Sequence, residues 1–228
     1  MARLIANVRL EAIRANLEHI QEEIAAAVRR SPVTRPDPAP REVELLAAVK
    51  YVSSDQLPLL AEAGITLVGE NRAQDLQEKV SAHGALFEWD FIGQLQSRRV
   101  RLIVPHVRLI HSVASDSALR ELDRHRELAR PGLRILVEVN IAEQAGKAGV
   151  SPQELDAFIA RSPVPVAGLM TMPPLAAEPD DSRRSFAALR ALADERGLEH
   201  LSMGTSQDYI VAVEEGATIV RIGTKLYN

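Results

Sequence analysis

The sequence predicts an α/β fold, a single (β/α)8 barrel of the TIM type preceded by an extra N-terminal helix. Three observations predict it. Eight short apolar runs alternate with amphipathic stretches from residue 44 to the end, and such alternation requires a parallel sheet covered by helices. The 228 residues suit eight such units in one domain, 1–228, since barrels of this kind run to roughly 250 residues. No G-x-G-x-x-G follows the first apolar run, as it would in an open nucleotide-binding sheet, so closure is the preferred topology.

The elements follow in order. Ile5, Val8, Leu10, Ile13, Leu17, Ile20 and Ile24 recur at spacings of three and four, which puts one apolar stripe on a long first helix ending before Ser31. The stretch 31–41 holds four prolines and no periodicity and reads as an exposed loop. Strands are predicted at 44–49, 66–68, 89–92, 109–112, 134–140, 164–170, 200–203 and 218–222. Helices fit between them, starting at Ser53 or Ser54 and running to Ala63, then at 71–81, 94–103, 117–129, 152–161, 181–196 and 206–215.

Composition narrows the function classes. Hydrophobic residues make up 46% and charged residues 25%, enough apolar surface for a packed core. A net charge of −4 supplies no overall positive field, which argues against nucleic acid and anionic membranes as partners. Without cysteine there is neither a disulfide frame nor a thiolate metal site. The N-terminal residues carry charges throughout, unlike a signal peptide, and no run reaches the ~20 apolar residues of a membrane span. A soluble, cytoplasmic protein is the expectation. Only four lysines, Lys50, Lys79, Lys147 and Lys225, are available for amine chemistry.

In barrels and open sheets alike, ligands bind at the carboxyl ends of the strands, and here those ends are polar. Lys50 closes the first run; the later ends carry Gly69-Glu70-Asn71, Gly93-Gln94, His111-Ser112, Asn140, Met170-Thr171, Gly204-Thr205-Ser206 and Arg221-Gly223-Thr224. An amine in a mostly apolar mouth would have its pKa lowered by desolvation and could form a Schiff base with an aldehyde. The competing reading is a strand-end lysine whose head reaches water. Met203, Gly204, Thr205 and Ser206 follow one strand and open a helix, while Arg221, Gly223 and Thr224 follow the last. Together they suit a phosphate held between strands seven and eight, although each alone reads equally as a helix cap or a glycine turn.

These residues belong to longer motifs: AAVKYVS around Lys50, VGENRAQD from Val68, FIGQLQS from Phe91, HSVAS from His111, VEVNIAEQAGKAG from Val137, GLMTM from Gly168, LSMGTSQD from Leu201 and VRIGTKLY from Val220. In this order they resemble the pyridoxal phosphate homeostasis proteins, which share their barrel with the N-terminal domain of alanine racemases. The resemblance implies that Lys50 holds pyridoxal 5′-phosphate as a Schiff base. It also implies that Ser206, Gly223 and Thr224 bind the phosphate and that Arg221 faces the pyridine nitrogen. An arginine there cannot accept the nitrogen's proton and keeps the ring a poor electron sink. Asn71 would line the ring or cap a helix, and Lys147 would contact cofactor in transit or lie solvated on its loop. Asp90 and Arg98-Arg99 depart from the family's usual His and Asn-Lys, which leaves roles at those positions open.

The resemblance further implies a protein that stores, buffers or delivers the cofactor to apoenzymes, with no turnover of its own. A racemase requires a second acid/base, which alanine racemases bring from a separate β-domain. This sequence carries no such domain, and its tyrosines, Tyr51, Tyr209 and Tyr227, all lie beside strands one, seven or eight. For the same reason a monomer is expected. A racemase, or a cofactor-free phosphate-binding barrel enzyme, is the alternative.

Overall fold

The computed structural model describes residues 5, 8–33, 42–144, 146–174 and 177–227. Most of the expected loop at 31–41 and the terminal Asn228 lie outside the described residues. Eight parallel strands form a closed barrel in sequence order: β1 (Glu44–Ala48), β2 (Leu67–Glu70), β3 (Glu88–Phe91), β4 (Leu109–Val113), β5 (Arg134–Glu138), β6 (Val166–Met170), β7 (His200–Thr205) and β8 (Ile219–Ile222). Pairing of Glu44 to Ala47 with Ile219 to Ile222 closes the ring.

The helices are α1 (Leu10–Arg30), α2 (Leu57–Glu62), α3 (Ala73–His83), α4 (Val100–Ile103), α5 (Asp116–Arg124), α6 (Leu155–Ala160), α7 (Arg183–Asp194), α8 (Tyr209–Glu214) and α9 (Thr224–Tyr227). α1 is the extra helix; it buries Ile13, Leu17, Ile20, Ile24 and Ala27 against α8 and α9. Several helices are shorter than the apolar pattern predicts. The predicted 94–103 helix becomes a loop, a 3-10 turn at Ser97–Arg99 and one turn of α4; the predicted 206–215 helix begins at Tyr209. Periodicity marks where apolar residues meet the core, and loop residues that meet it satisfy the same pattern.

The period of two along each strand divides the core in two. Ala47, Val68, Trp89, Ile110, Ile135, Leu169 and Val220 join the helices' apolar faces in one cluster, while Leu46, Leu67, Leu109, Leu136, Ala167, Met170 and Ile219 form a second cluster within the barrel. Gly168 shows how tightly β6 and β7 approach: a Cβ there would stand 1.9 Å from the His200 carbonyl oxygen.

The interior is also crossed by a chain of polar side chains. Glu44 holds Arg108 through two bonds of 2.7 Å. Arg108 also donates to Asp90, which is fully buried, at 3.0 and 3.2 Å. The second Asp90 oxygen lies 3.1 Å from His111 Nε2, and His111 Nδ1 lies 2.8 Å from Ser202 Oγ. Arg221 Nη1 donates to that same oxygen. Because an ionised Asp90 can only accept, Nε2 carries the ring proton, Nδ1 accepts from the Ser202 hydroxyl, and Ser202 Oγ accepts from Arg221. The chain leads from the amino end of β1 to the carboxyl end of β8. The departure at Asp90 therefore has a structural partner in His111, whereas Arg98 lies exposed on the surface.

Burial depresses the His111 pKa, with Asp90 opposing and Arg221 and Arg108 adding to the depression. A His held neutral in the fold takes up a proton only on unfolding, so stability falls as pH drops below the free value of about 6.5. His106 and His200, also depressed by burial, act in the same direction, and the Glu138 carboxyl, raised by burial, acts against them. Thermal unfolding should show Tm falling between about pH 7 and 5, with a shallower slope in His111→Gln; an unchanged slope in that variant would contradict the assignment. Gly168→Ala should cost about 1–3 kcal/mol or more, because strand backbone rather than a flexible side chain must move. A Tm equal to that of the parent would show that β6 and β7 can part at no cost.

Candidate functional site

The carboxyl ends of β1, β2, β7 and β8 enclose a cavity of about 320 Å³. β1 ends at Ala48, and the turn that follows, closed by Val52 N–H donating to the Val49 carbonyl at 3.0 Å, carries Lys50 at its first position. The Lys50 side chain is half-buried. Its amine makes no hydrogen bond among the described residues and stands 4.7 Å from the centre of the Tyr51 ring. The mouth around it is thus wetter than the dry pocket expected from the apolar run.

Behind this turn lies a buried ion pair. Glu70, with no exposed surface, accepts from Lys79 Nζ at 2.5 Å, and the same ammonium donates to the Val49 carbonyl at 2.7 Å. The other Glu70 oxygen accepts from the backbone N–H groups of Asn71 and Arg72 at 2.6 and 3.2 Å. One carboxylate and one ammonium thereby lock the turn carrying Lys50 to the loop carrying Asn71. Asn71 is not the helix cap: α3 begins at Ala73, which puts Arg72 at the cap position, and no side chain caps that end. The Asn71 side chain lines the cavity instead, with Oδ1 buried and without a partner among the described residues.

On the β7 and β8 side, Ser206, Gly223 and Thr224 converge on the cavity, as does Thr205. Ser206 Oγ accepts from Gly223 N–H at 3.1 Å and Lys225 N–H at 3.4 Å, which draws the two loops together. The Thr205 amide and hydroxyl both donate to Asp208 Oδ1, at 2.7 and 3.1 Å, so they are already engaged. Gly204, next to last in β7, adopts φ +88°, and a Cβ there would lie 2.9 Å from Tyr209 Cα; only glycine permits this approach of β7 to α8. Its backbone borders a neighbouring cavity of about 560 Å³, and the Met203 side chain is in the core. The larger cavity contains no lysine. It meets the smaller one at Met172, Thr205, Gln207 and Arg221.

Arg221 forms the floor between the two. Its Nη1 donates to the Ser202 carbonyl at 2.8 Å, and Nη2 to the Thr171 carbonyl at 3.2 Å. Burial pushes its pKa down to about 10, partly offset by the charges of Asp208 and Glu138, so it remains cationic at neutral pH. Seven of the nine residues singled out from the sequence, Lys50, Asn71, Thr205, Ser206, Arg221, Gly223 and Thr224, line one cavity. Lys147 is exposed on the loop after β5 and does not border it. Sequence reasoning missed Tyr51, Ile92, Met172 and Tyr227 as lining residues, and missed the Glu70 and Lys79 brace. Lys79 is one of only four lysines and sits on the buried face of α3, a signal that an ion pair was needed.

A free amine, a fixed cation and a set of backbone N–H and hydroxyl groups, placed around a cavity of this size, fit an aromatic aldehyde that carries a phosphate. The unpartnered Asn71 oxygen is a buried polar group whose missing bond a ligand can supply.

Comparison with known proteins agrees. Residues 8–228 match the family model of the alanine racemase N-terminal domain. The chain is 40% identical over 195 residues to the pyridoxal phosphate homeostasis protein of Aquifex aeolicus, covering 81% of this chain and 86% of that one. To the protein of the same name from Vibrio cholerae it is 32% identical over 232 residues, 96% of each. Among solved structures it is similar to PipY of Synechococcus elongatus PCC7942 with PLP bound, at a TM-score of 0.77 and 30% identity over 95% of this chain and 100% of that one. Matches of this extent, over the barrel and its mouth together, place the chain in the alanine racemase N-terminal domain family and, within it, among the pyridoxal phosphate homeostasis proteins.

Proposed function

We propose that this chain binds pyridoxal 5′-phosphate, holds it covalently on Lys50, and serves vitamin B6 homeostasis by storing, buffering and delivering the cofactor to apoenzymes. The observation that carries the reading is the Lys50 amine, without a hydrogen-bonding partner among the described residues, in one cavity with Ser206, Gly223, Thr224 and Arg221. Bound here, the cofactor would supply an aldehyde, and the Lys50 amine would hold it in a linkage that water can reverse. Gly223 N–H, the Ser206 hydroxyl and Thr224 hold the phosphate, with Met203, Gly204 and Thr205 shaping that loop, and Asn71 lies along the ring. Arg221, pinned by Ser202 and Thr171, faces the pyridine nitrogen and donates to it, so the nitrogen stays unprotonated.

Two of the three tyrosines also favour binding without turnover. Burial pushes the Tyr209 hydroxyl up to about 12, and it is engaged with Glu23 and Lys225; burial pushes Tyr227 up as well. Neither is a base near neutral pH. The barrel acts as a monomeric single domain, 1–228, in the cytoplasm, with neither nucleic acid nor membrane as partner. Among the described residues no helix is long and apolar enough to cross a membrane.

Adding pyridoxal phosphate to the purified protein should produce a visible absorbance band that Lys50→Ala lacks, and borohydride should leave a reduced adduct on Lys50 alone. A band that persists in Lys50→Ala would overturn the attachment; turnover of an amino acid by the loaded protein, lost with Lys50, would replace storage by racemase-type chemistry. Ser206→Asp sets a like charge beside the phosphate and should weaken pyridoxal phosphate binding by about tenfold or more, ~1.4 kcal/mol. It should leave binding of pyridoxal, which has no phosphate, unchanged. Equal losses for both ligands would move the phosphate elsewhere.

A further inference from the structure

Resting on that reading, we propose that Tyr227 is a cofactor-contacting residue whose hydroxyl donates a hydrogen bond to the ring phenolate oxygen of pyridoxal phosphate.

The first ground is an unfilled hydroxyl. Tyr227 is 9% exposed, lines the Lys50 cavity, and its Oη is buried with no hydrogen-bond partner among the described residues. A buried hydroxyl normally finds a partner, because leaving it unpaired costs stability that a phenylalanine ring would not. Around this hydroxyl the described residues supply none, although they satisfy every oxygen of the Glu70 and Asp90 side chains. The second orphan of the same cavity, Asn71 Oδ1, belongs to the loop after β2.

The second ground is the connectivity of the cofactor. Its aldehyde carbon is flanked on the ring by the phenolate oxygen on one side and the phosphate arm on the other. With the aldehyde at Lys50 and the phosphate at Ser206, Gly223 and Thr224, the phenolate falls on the far side of Lys50 from the β7 loop. That is the β2 side, where Glu70 and Asn71 lie. Tyr227 reaches it because α9 starts at Thr224, beside the phosphate loop, and carries Tyr227 one turn further on, within electrostatic reach of Glu70.

The third ground is the direction of the bond. Burial, reinforced by the Glu70 charge, keeps the Tyr227 hydroxyl protonated. It is therefore a donor, matched to an anionic oxygen, and hydrogen bonds to charged acceptors are the stronger kind.

The test compares the parent with Tyr227→Phe, which removes only the oxygen, using two probes: pyridoxal 5′-phosphate and its analogue without the ring hydroxyl, 3-deoxypyridoxal 5′-phosphate. Tm without ligand should stay equal or rise in Tyr227→Phe, since an unpaired buried hydroxyl is lost. Affinity for pyridoxal phosphate, read from the absorbance titration, should fall about tenfold or more, while affinity for the deoxy analogue should be the same in both proteins. Unchanged affinity for pyridoxal phosphate would overturn the proposal. So would equal losses with both probes, which would remove the phenolate from the account, or a lower Tm without ligand, which would reveal a partner within the fold. Failure of the parent to bind pyridoxal phosphate would instead overturn the cofactor reading itself.

Discussion

The hydrogen-bonded chain from Glu44 through Arg108, Asp90, His111 and Ser202 to Arg221 governs what the barrel mouth can bind. The interior of an eight-stranded barrel is filled by side chains, and an unpaired charge there would be prohibitively costly. Each member of the chain is satisfied by the next, and the ionisation of Asp90 sets the direction of every bond that follows. The result at the top is a guanidinium whose two terminal nitrogens are fixed by Ser202 and Thr171 before any ligand arrives. Arg221 thus presents a charge whose orientation is set by the barrel rather than by its own flexible stem.

The other half of the mouth rests on the pair of Glu70 and Lys79. Buried ion pairs add little net stability compared with apolar packing, but losing one partner strands the other charge. Here the pair also ties backbone: Lys79 holds the carbonyl before Lys50, and Glu70 holds the amide of Asn71. Lys50 and the cavity-lining Asn71, on separate loops, are thereby kept in register. By contrast, on the β7 and β8 side a single serine hydroxyl draws the loops together by accepting from the N–H groups of Gly223 and Lys225.

The alternation of apolar runs located all eight strands and their order, because a parallel strand flanked by helices must be apolar on both faces whatever its neighbours are. It overextended several helices, as at 94–103 and 206–215, where loop residues such as Leu95 pack against the core with helical spacing but without helical hydrogen bonds. Lys50, Ser206, Gly223 and Thr224 were legible for a related reason: each follows the end of a strand, and the carboxyl ends of all strands point to one mouth.

What the sequence determined by itself was therefore the ring of strands, the positions at their carboxyl ends, and the scarcity of lysines that singles out Lys50. Tertiary structure alone decided how those positions are held. Asp90 meets His111 across the barrel, Lys79 meets Glu70 from the outer face of β2, and Tyr227 comes to the cavity from the last helical turn. Such contacts join residues distant along the chain or on elements whose ends no periodicity marks. They depend on strand register and barrel stagger, which cooperative closure of the whole sheet sets and no local run of residues encodes.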